Sequence, residues 1–143
     1  MAQLKVSEPM NEYTEIPIAS NPYTPPNPPE KLAQLANHVS DTVRMQVARN
    51  PNTPPEALIA LSKDKNSDVR ECVAENPNTP PKVLFALSKD KDEYVRRGVA
   101  RNPSIPGDVM RELFMDETWW IRKAVLENPN CPLEIKVEYV LSN

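Results

Sequence analysis

One hexapeptide recurs at fixed distance. Asn50-Pro51-Asn52-Thr53-Pro54-Pro55 returns as Asn76-Pro77-Asn78-Thr79-Pro80-Pro81, then as Asn102-Pro103-Ser104-Ile105-Pro106-Gly107 and Asn128-Pro129-Asn130-Cys131-Pro132-Leu133, always 26 residues on. A unit this short cannot bury an apolar face alone. Copies must stack and share one interior, which restricts the chain to a repeat architecture. The chain holds 17 Pro against 2 Gly. Most of that proline falls on repeat positions, where it punctuates structure instead of preventing it.

Full units begin at Val43, Val69, Val95 and Ile121, each with Arg second, Val fifth and Asn-Pro at eight and nine. Residues 27–42 form a degenerate first unit, in which Leu32 and Leu35 match Leu58 and Leu61. The expected division is a Pro-rich N-terminal extension or cap over 1–26, units over 43–68, 69–94 and 95–120, and a C-terminal cap unit over 121–143.

Each unit should hold two short helices. Ser40, Asn66, Asp92 and Thr118 precede the first-position residue by three, and all are good N-cap types. The stripe at first, fourth, fifth and eighth positions, as in Val69, Cys72, Val73 and Asn76, lies on one helix face. The helix must stop at the Asn, because the following Pro excludes it from the α region. A second helix should start at Thr53 or Thr79, with the Thr as N-cap. Its apolar residues are Ala57, Leu58, Ala60 and Leu61, repeated as Val83, Leu84, Ala86 and Leu87. In the last unit Glu134 to Tyr139 alternates like a strand, but context favours a helix with the polar outer face of a terminal cap. The fold class is therefore all-α, an α-solenoid.

Composition excludes several functions. Net charge is -3 and the pI about 5.3, so no global positive field draws the chain to nucleic acid or anionic membrane. Cys72 and Cys131 are about two layers apart, too far for a disulfide, and show no metal spacing. Cys72 lies on a buried face; Cys131 is placed at a helix N-cap, where a thiolate is favoured. Residues 1–20 contain no apolar run of the signal-peptide kind and no segment could span a membrane, so the expected location is cytoplasmic. The single His, His38, occupies the position that holds Asp in the next three units. No catalytic set, phosphate loop or metal cluster can be assembled, and no cofactor is expected.

Three polar rows follow the period. Arg44, Arg70, Arg96 and Arg122 recur with Asp64, Asp90 and Asp116, which suggests a structural Asp–Arg ladder between layers. Asp41 and Glu93 also stand three residues before Arg44 and Arg96, within helical pairing reach. Asn50, Asn76, Asn102 and Asn128 can satisfy orphan backbone groups of their own layer and the next. Arg49, Glu75, Arg101 and Glu127 alternate in sign, a solvated face whose neighbours attract weakly. Among the aromatics, Trp119 falls in the first turn of its helix near Arg122 and Lys123. Two readings stand: an exposed partner-binding hot spot, or a cover over Arg122. Tyr94 and Trp120 share a repeat position one layer apart and are placed to stack.

The segment from Val69 to Pro80, Val-Arg-Glu-Cys-Val-Ala-Glu-Asn-Pro-Asn-Thr-Pro, with Leu84 and Leu87, resembles the leucine-rich repeat variant family. The resemblance covers about residues 28–143. It implies a right-handed superhelix of alternating α- and 3₁₀-helices, related to HEAT and armadillo arrays, with no defined activity. The period here is slightly longer than the family's. The founding member's cysteine cluster for an iron–sulfur centre has no counterpart before Cys72.

The expected function is a non-enzymatic interaction module for a protein partner, with Trp119, Arg97, Arg101 and Lys123 on the binding surface. An alternative is a HEAT-like DNA-repair glycosylase, suggested by Trp119, Trp120, Asp116 and Arg122 but opposed by the acidic pI. Self-association through the ends is a third reading.

Overall fold

The computed structural model describes residues 29–143, so the expected extension over 1–26 lies outside the described residues. Nine helices follow one another and no strand occurs among the described residues. They are α1 (Pro29–Leu35), α2 (Asp41–Arg49), α3 (Pro55–Leu61), α4 (Ser67–Glu75), α5 (Pro81–Leu87), α6 (Glu93–Arg101), α7 (Gly107–Phe114), α8 (Trp119–Glu127) and α9 (Leu133–Leu141). The even-numbered helices from α2 to α8 stack on one another; α2, α4 and α6 pack against the odd-numbered helices on both sides, and α8 against α7. All nine are α-helices; the 3₁₀ alternation implied by the family resemblance is absent from the described residues.

Local chemistry sets the ends of the longer helices. Ser40, Asn66, Asp92 and Thr118 are the N-caps, each with extended backbone. Asn66 accepts from the Asp68 amide at 2.8 Å and Asp92 from the Tyr94 amide at 2.9 Å. Ser40 and Thr118 make no such bond. Asn50, Asn76, Asn102 and Asn128 end these helices with ψ near 125°, the conformation a following Pro imposes.

The shorter helices begin later than Thr53 and Thr79. Pro54 and Pro80 are their N-caps, and the Thr residues turn inward instead. Thr79 Oγ1 donates to the Val73 carbonyl at 2.6 Å, and Thr53 does the same to Val47. Thr thus clamps the turn to the helix before it. Ala60 and Ala86, expected on the apolar face, are exposed; Ala57, Leu58, Leu61, Val83, Leu84 and Leu87 are buried.

Val43, Val69, Val95 and Ile121 meet Val47, Val73, Val99 and Val125 in one continuous core with the leucines. Burying a Leu or Val side chain contributes about 1.5–3 kcal/mol, and helices this short depend on it. Layers come close at Gly98, where an added Cβ would stand 3.0 Å from Ala74 Cβ and 3.3 Å from the Glu71 carbonyl.

The Asn row bridges layers in one direction. Asn76 Nδ2 donates to the Ala48 and Asn50 carbonyls at 2.7 and 3.1 Å. Asn102 and Asn128 repeat this one and two layers on. Each Oδ1 accepts from its own turn, as Asn76 does from the Asn78 amide at 2.9 Å. The layer served is therefore the preceding one, not the next. An outer row, not read from the sequence, runs parallel: Asn78, Ser104 and Asn130 side chains donate to the Pro51, Pro77 and Pro103 carbonyls.

The last helix departs from the expected cap. Lys136 and Tyr139 occupy the positions of buried leucines, and Ile135 is the buried residue of α9. Its outer face is apolar, with Leu133, Val140 and Leu141 exposed by 71%, 71% and 81%.

Candidate binding site at the C-terminal end

The ladder explains what is unusual at this end. Arg44 Nε and Nη2 donate to Asp64 Oδ2 and Oδ1 at 2.7 and 3.1 Å. Arg70–Asp90 and Arg96–Asp116 repeat the arrangement, always with the Asp 20 residues later. The partner is the Asp of the next layer, not the helical neighbour: Asp41 accepts from Asn66 Nδ2 instead. Behind each fork, Arg Nη1 donates to backbone carbonyls of the turn before its own helix, His38 and Val39 for Arg44. Both carboxylate and guanidinium are nearly buried, at 9–13% side-chain exposure.

Burial alone would push the three carboxyls up. The guanidinium hydrogen bond, aided by a turn amide, outweighs it and holds Asp64, Asp90 and Asp116 below the usual carboxylate range. Each Asp also accepts from the amide two residues on, Asn66, Asp92 and Thr118. His38 Nδ1 makes the same turn bond to the Ser40 amide at 3.0 Å.

Arg122 carries the backbone half of this pattern only. Its Nη1 donates to the Asp116 and Glu117 carbonyls at 2.6 and 3.0 Å. Twenty residues on stands Ser142, not Asp. Among the described residues, no carboxylate faces its Nε–Nη2 edge. Arg122 lines a hollow of 920 Å³ between the α7–α8 turn, α8 and α9, together with Met115, Trp119, Lys123 and Tyr139 and the acidic Asp116, Glu117 and Glu138.

Trp119 is 60% exposed and meets Trp120 edge-on, with centroids 5.8 Å apart at 83°. Trp120 is half-buried against the core, and its Nε1 is buried without a partner among the described residues. The expected stacking of Trp120 on Tyr94 does not occur; Tyr94 lies under Arg97, 5.2 Å from ring centroid to Cζ. Arg97 also reaches Glu71 at 3.3 Å, one layer back. Lys123 Nζ lies 3.4 Å from Glu127 Oε1, both well exposed. Of the sequence candidates, Trp119 and Lys123 share the hollow, whereas Arg97 and Arg101 do not line it. No ion pair joins Arg49, Glu75, Arg101 and Glu127 to one another among the described residues.

Of the four residues suggested for a glycosylase, Trp119, Asp116 and Arg122 border the hollow and Trp120 does not. Asp116 is engaged by Arg96 through both carboxylate oxygens, and that contact holds its carboxyl below the usual range. Burial raises the Cys72 thiol to about 11, which makes it inert. Cys131 is also buried and raised by burial; Pro132, not Cys131, is the N-cap, so the expected thiolate is not favoured. Among the described residues no three His, Cys, Asp or Glu side chains group to hold a metal, and no helix is long and apolar enough to cross a membrane.

Residues 44–103 match the family model of the Leucine Rich Repeat Variant domain. That stretch carries the leucine-rich repeat variant pattern. A solved structure described as "a leucine-rich repeat variant with a novel repetitive protein structural motif" is similar over 81% of this chain, at 27% identity and a TM-score of 0.57. The chain spans half the length of that structure, 50% of which is covered. No curated protein matches. Within the leucine-rich repeat variant pattern, Asn, Arg and Asp are structural: each spends its hydrogen bonds on the stack. What the pattern leaves over is the hollow at the last layer, where Arg122 lacks its Asp.

Proposed function

We propose that this chain is a non-enzymatic repeat scaffold that binds a protein partner through its C-terminal end. The observation that supports it is Trp119, 60% exposed on the rim of the hollow and edge-on to Trp120. Large, pre-oriented aromatics beside arginine are the usual anchors of protein interfaces. Tyr139 of α9 lines the same hollow, and α9 separately exposes Leu133, Val137, Val140 and Leu141. Exposed apolar patches of this kind mark interaction sites.

Affinity capture with wild type and Trp119→Ala side by side tests the reading. A protein retained by wild type should fall at least about fivefold with the variant, as removal of an anchor worth 1 kcal/mol or more requires. Equal capture by both would remove the hollow from the binding surface.

A further inference from the structure

Resting on that scaffold reading, we propose that the open edge of Arg122 is a seat for a partner's aspartate, and that the partner presents it on a turn entering a helix. The chain itself supplies three templates. Leu61-x-x-Asp64-x-Asn66, Leu87-x-x-Asp90-x-Asp92 and Leu113-x-x-Asp116-x-Thr118 each place a carboxylate on an Arg fork. In each, the second Asp oxygen function is fixed by the amide two residues later, which sets the carboxylate plane before it meets the guanidinium. The leucine three residues earlier is buried in the core.

Arg122 is prepared for the same ligand. Its Nη1 is pinned by the Asp116 and Glu117 carbonyls, as Arg70 Nη1 is by Asp64 and Lys65, while its Nε and Nη2 meet no carboxylate among the described residues. A planar guanidinium fixed in this way matches a carboxylate bidentately, which a flexible ammonium cannot do. Apolar surface lies alongside in Met115 and Tyr139, exposed by 73% and 46%. The other charges at the hollow do not fill the seat: Asp116 is held by Arg96, Glu138 by Arg111 at 3.4 Å, and Lys123 by Glu127. Glu117 lies on the rim with its backbone carbonyl, not its carboxylate, on Arg122.

A second copy stacked head to tail fits poorly. The first described layer offers His38 where an Asp is needed, and the three Asp turns of this chain are already engaged. The occupant we propose is a different chain bearing an apolar-x-x-Asp-x-Asn/Asp/Thr turn, the form in which this chain's own ladder presents its carboxylates.

The probe is a synthetic peptide with the sequence of residues 84–98, which carries the Asp90 turn and no tryptophan. It is titrated into the full chain, read by tryptophan fluorescence and by amide chemical shifts. Saturable binding that weakens at least tenfold for the Asp90→Asn peptide, and that falls with Arg122→Met and with Arg122→Lys protein, supports the seat. Equal titration by both peptides, undiminished binding to Arg122→Met, or no response at millimolar peptide overturns it. Sedimentation of the full chain completes the test: a concentration-dependent dimer that dissociates in Arg122→Met would identify a second copy as occupant and overturn the proposal of a different chain. Partner capture that Trp119→Ala abolishes and Arg122→Met leaves intact would sink the carboxylate seat alone, leaving the scaffold reading in place.

Discussion

Arg70 holds Asp90 through two hydrogen bonds, 2.8 Å from Nε to Oδ2 and 3.1 Å from Nη2 to Oδ1, across 20 residues of sequence. Both groups are nearly out of solvent, at 10% and 11% side-chain exposure. Removing one member of such a pair strands the other, which costs far more than the pair itself contributes.

That asymmetry separates Arg96 from Arg122. Arg96→Met leaves the Asp116 carboxylate buried without its cation, a loss of about 3–5 kcal/mol for a pair of this type. Arg122→Met strands no carboxylate, so its cost should stay within about 1.5–3 kcal/mol, the scale of a hydrogen bond from a charged donor. Urea unfolding of the two variants against wild type measures the difference. Equal destabilisation would mean that Arg122 has a partner the ladder does not reveal.

The ladder also makes the array acid-sensitive. Asp64, Asp90 and Asp116 have folded pKa values below their ordinary ones. A depressed carboxyl stabilises the fold above its unfolded pKa, about 3.9, and that contribution is lost as pH falls through the folded value. Wild type should therefore lose stability progressively below about pH 4. Asp90→Asn should be less stable at pH 7 and show a shallower decline between about pH 4 and pH 2. Thermal melts at stepped pH test this; parallel declines would remove Asp90 from the acid response.

Asn76→Ala removes two donated bonds to the preceding layer and one accepted from the Asn78 amide, all at a site 2% exposed. The Ala48 and Asn50 carbonyls lose a buried donor. A loss of about 2–4 kcal/mol is expected from unsatisfied groups and the vacated volume. Hydrogen exchange should show the α2–α4 boundary opening first. Uniform loss of protection across the array would contradict a local bridge.

The two tryptophans should part company. Trp119→Ala exposes little that was covered, so stability should change by less than about 1 kcal/mol. Trp120→Ala opens the core beside α8 and should cost about 2–4 kcal/mol, below full burial because the ring is half-buried. Guanidinium titration with paired emission spectra distinguishes them: the surviving Trp119 in Trp120→Ala should emit further to the red. Equal destabilisation by both would contradict the exposed placement of Trp119.

Much of the fold was legible because its signals act within one turn of backbone. Asn66 and Asp92 cap helices through amides two residues away, and Asn-Pro ends them by sterics alone. Thr53 and Thr79 show the reverse. As N-caps they would bond forward to the next turn; in the fold they bond back to Val47 and Val73, which only the packed turn brings within reach. Of the binding-surface candidates, Trp119 was visible as an aromatic in a solvent-facing first turn. Tyr139 and Met115 were not, because they reach the hollow from α9 and the α7–α8 turn.

The sequence by itself determined the period, the ends of the longer helices and the buried Val and Leu rows, since these follow from side-chain chemistry over a few residues and from spacing of 26. Tertiary structure decided which groups meet across layers. The offset of the stack carries Arg44 to Asp64 and not to Asp41, and turns Asn76 toward Asn50 instead of toward Asn102. It also decided that Arg122, identical in its local sequence position to three arginines paired with Asp across layers, has no such partner among the described residues. A repeat is the same wherever it occurs along the chain, but whether its bonds are completed depends on the layer that follows it in space.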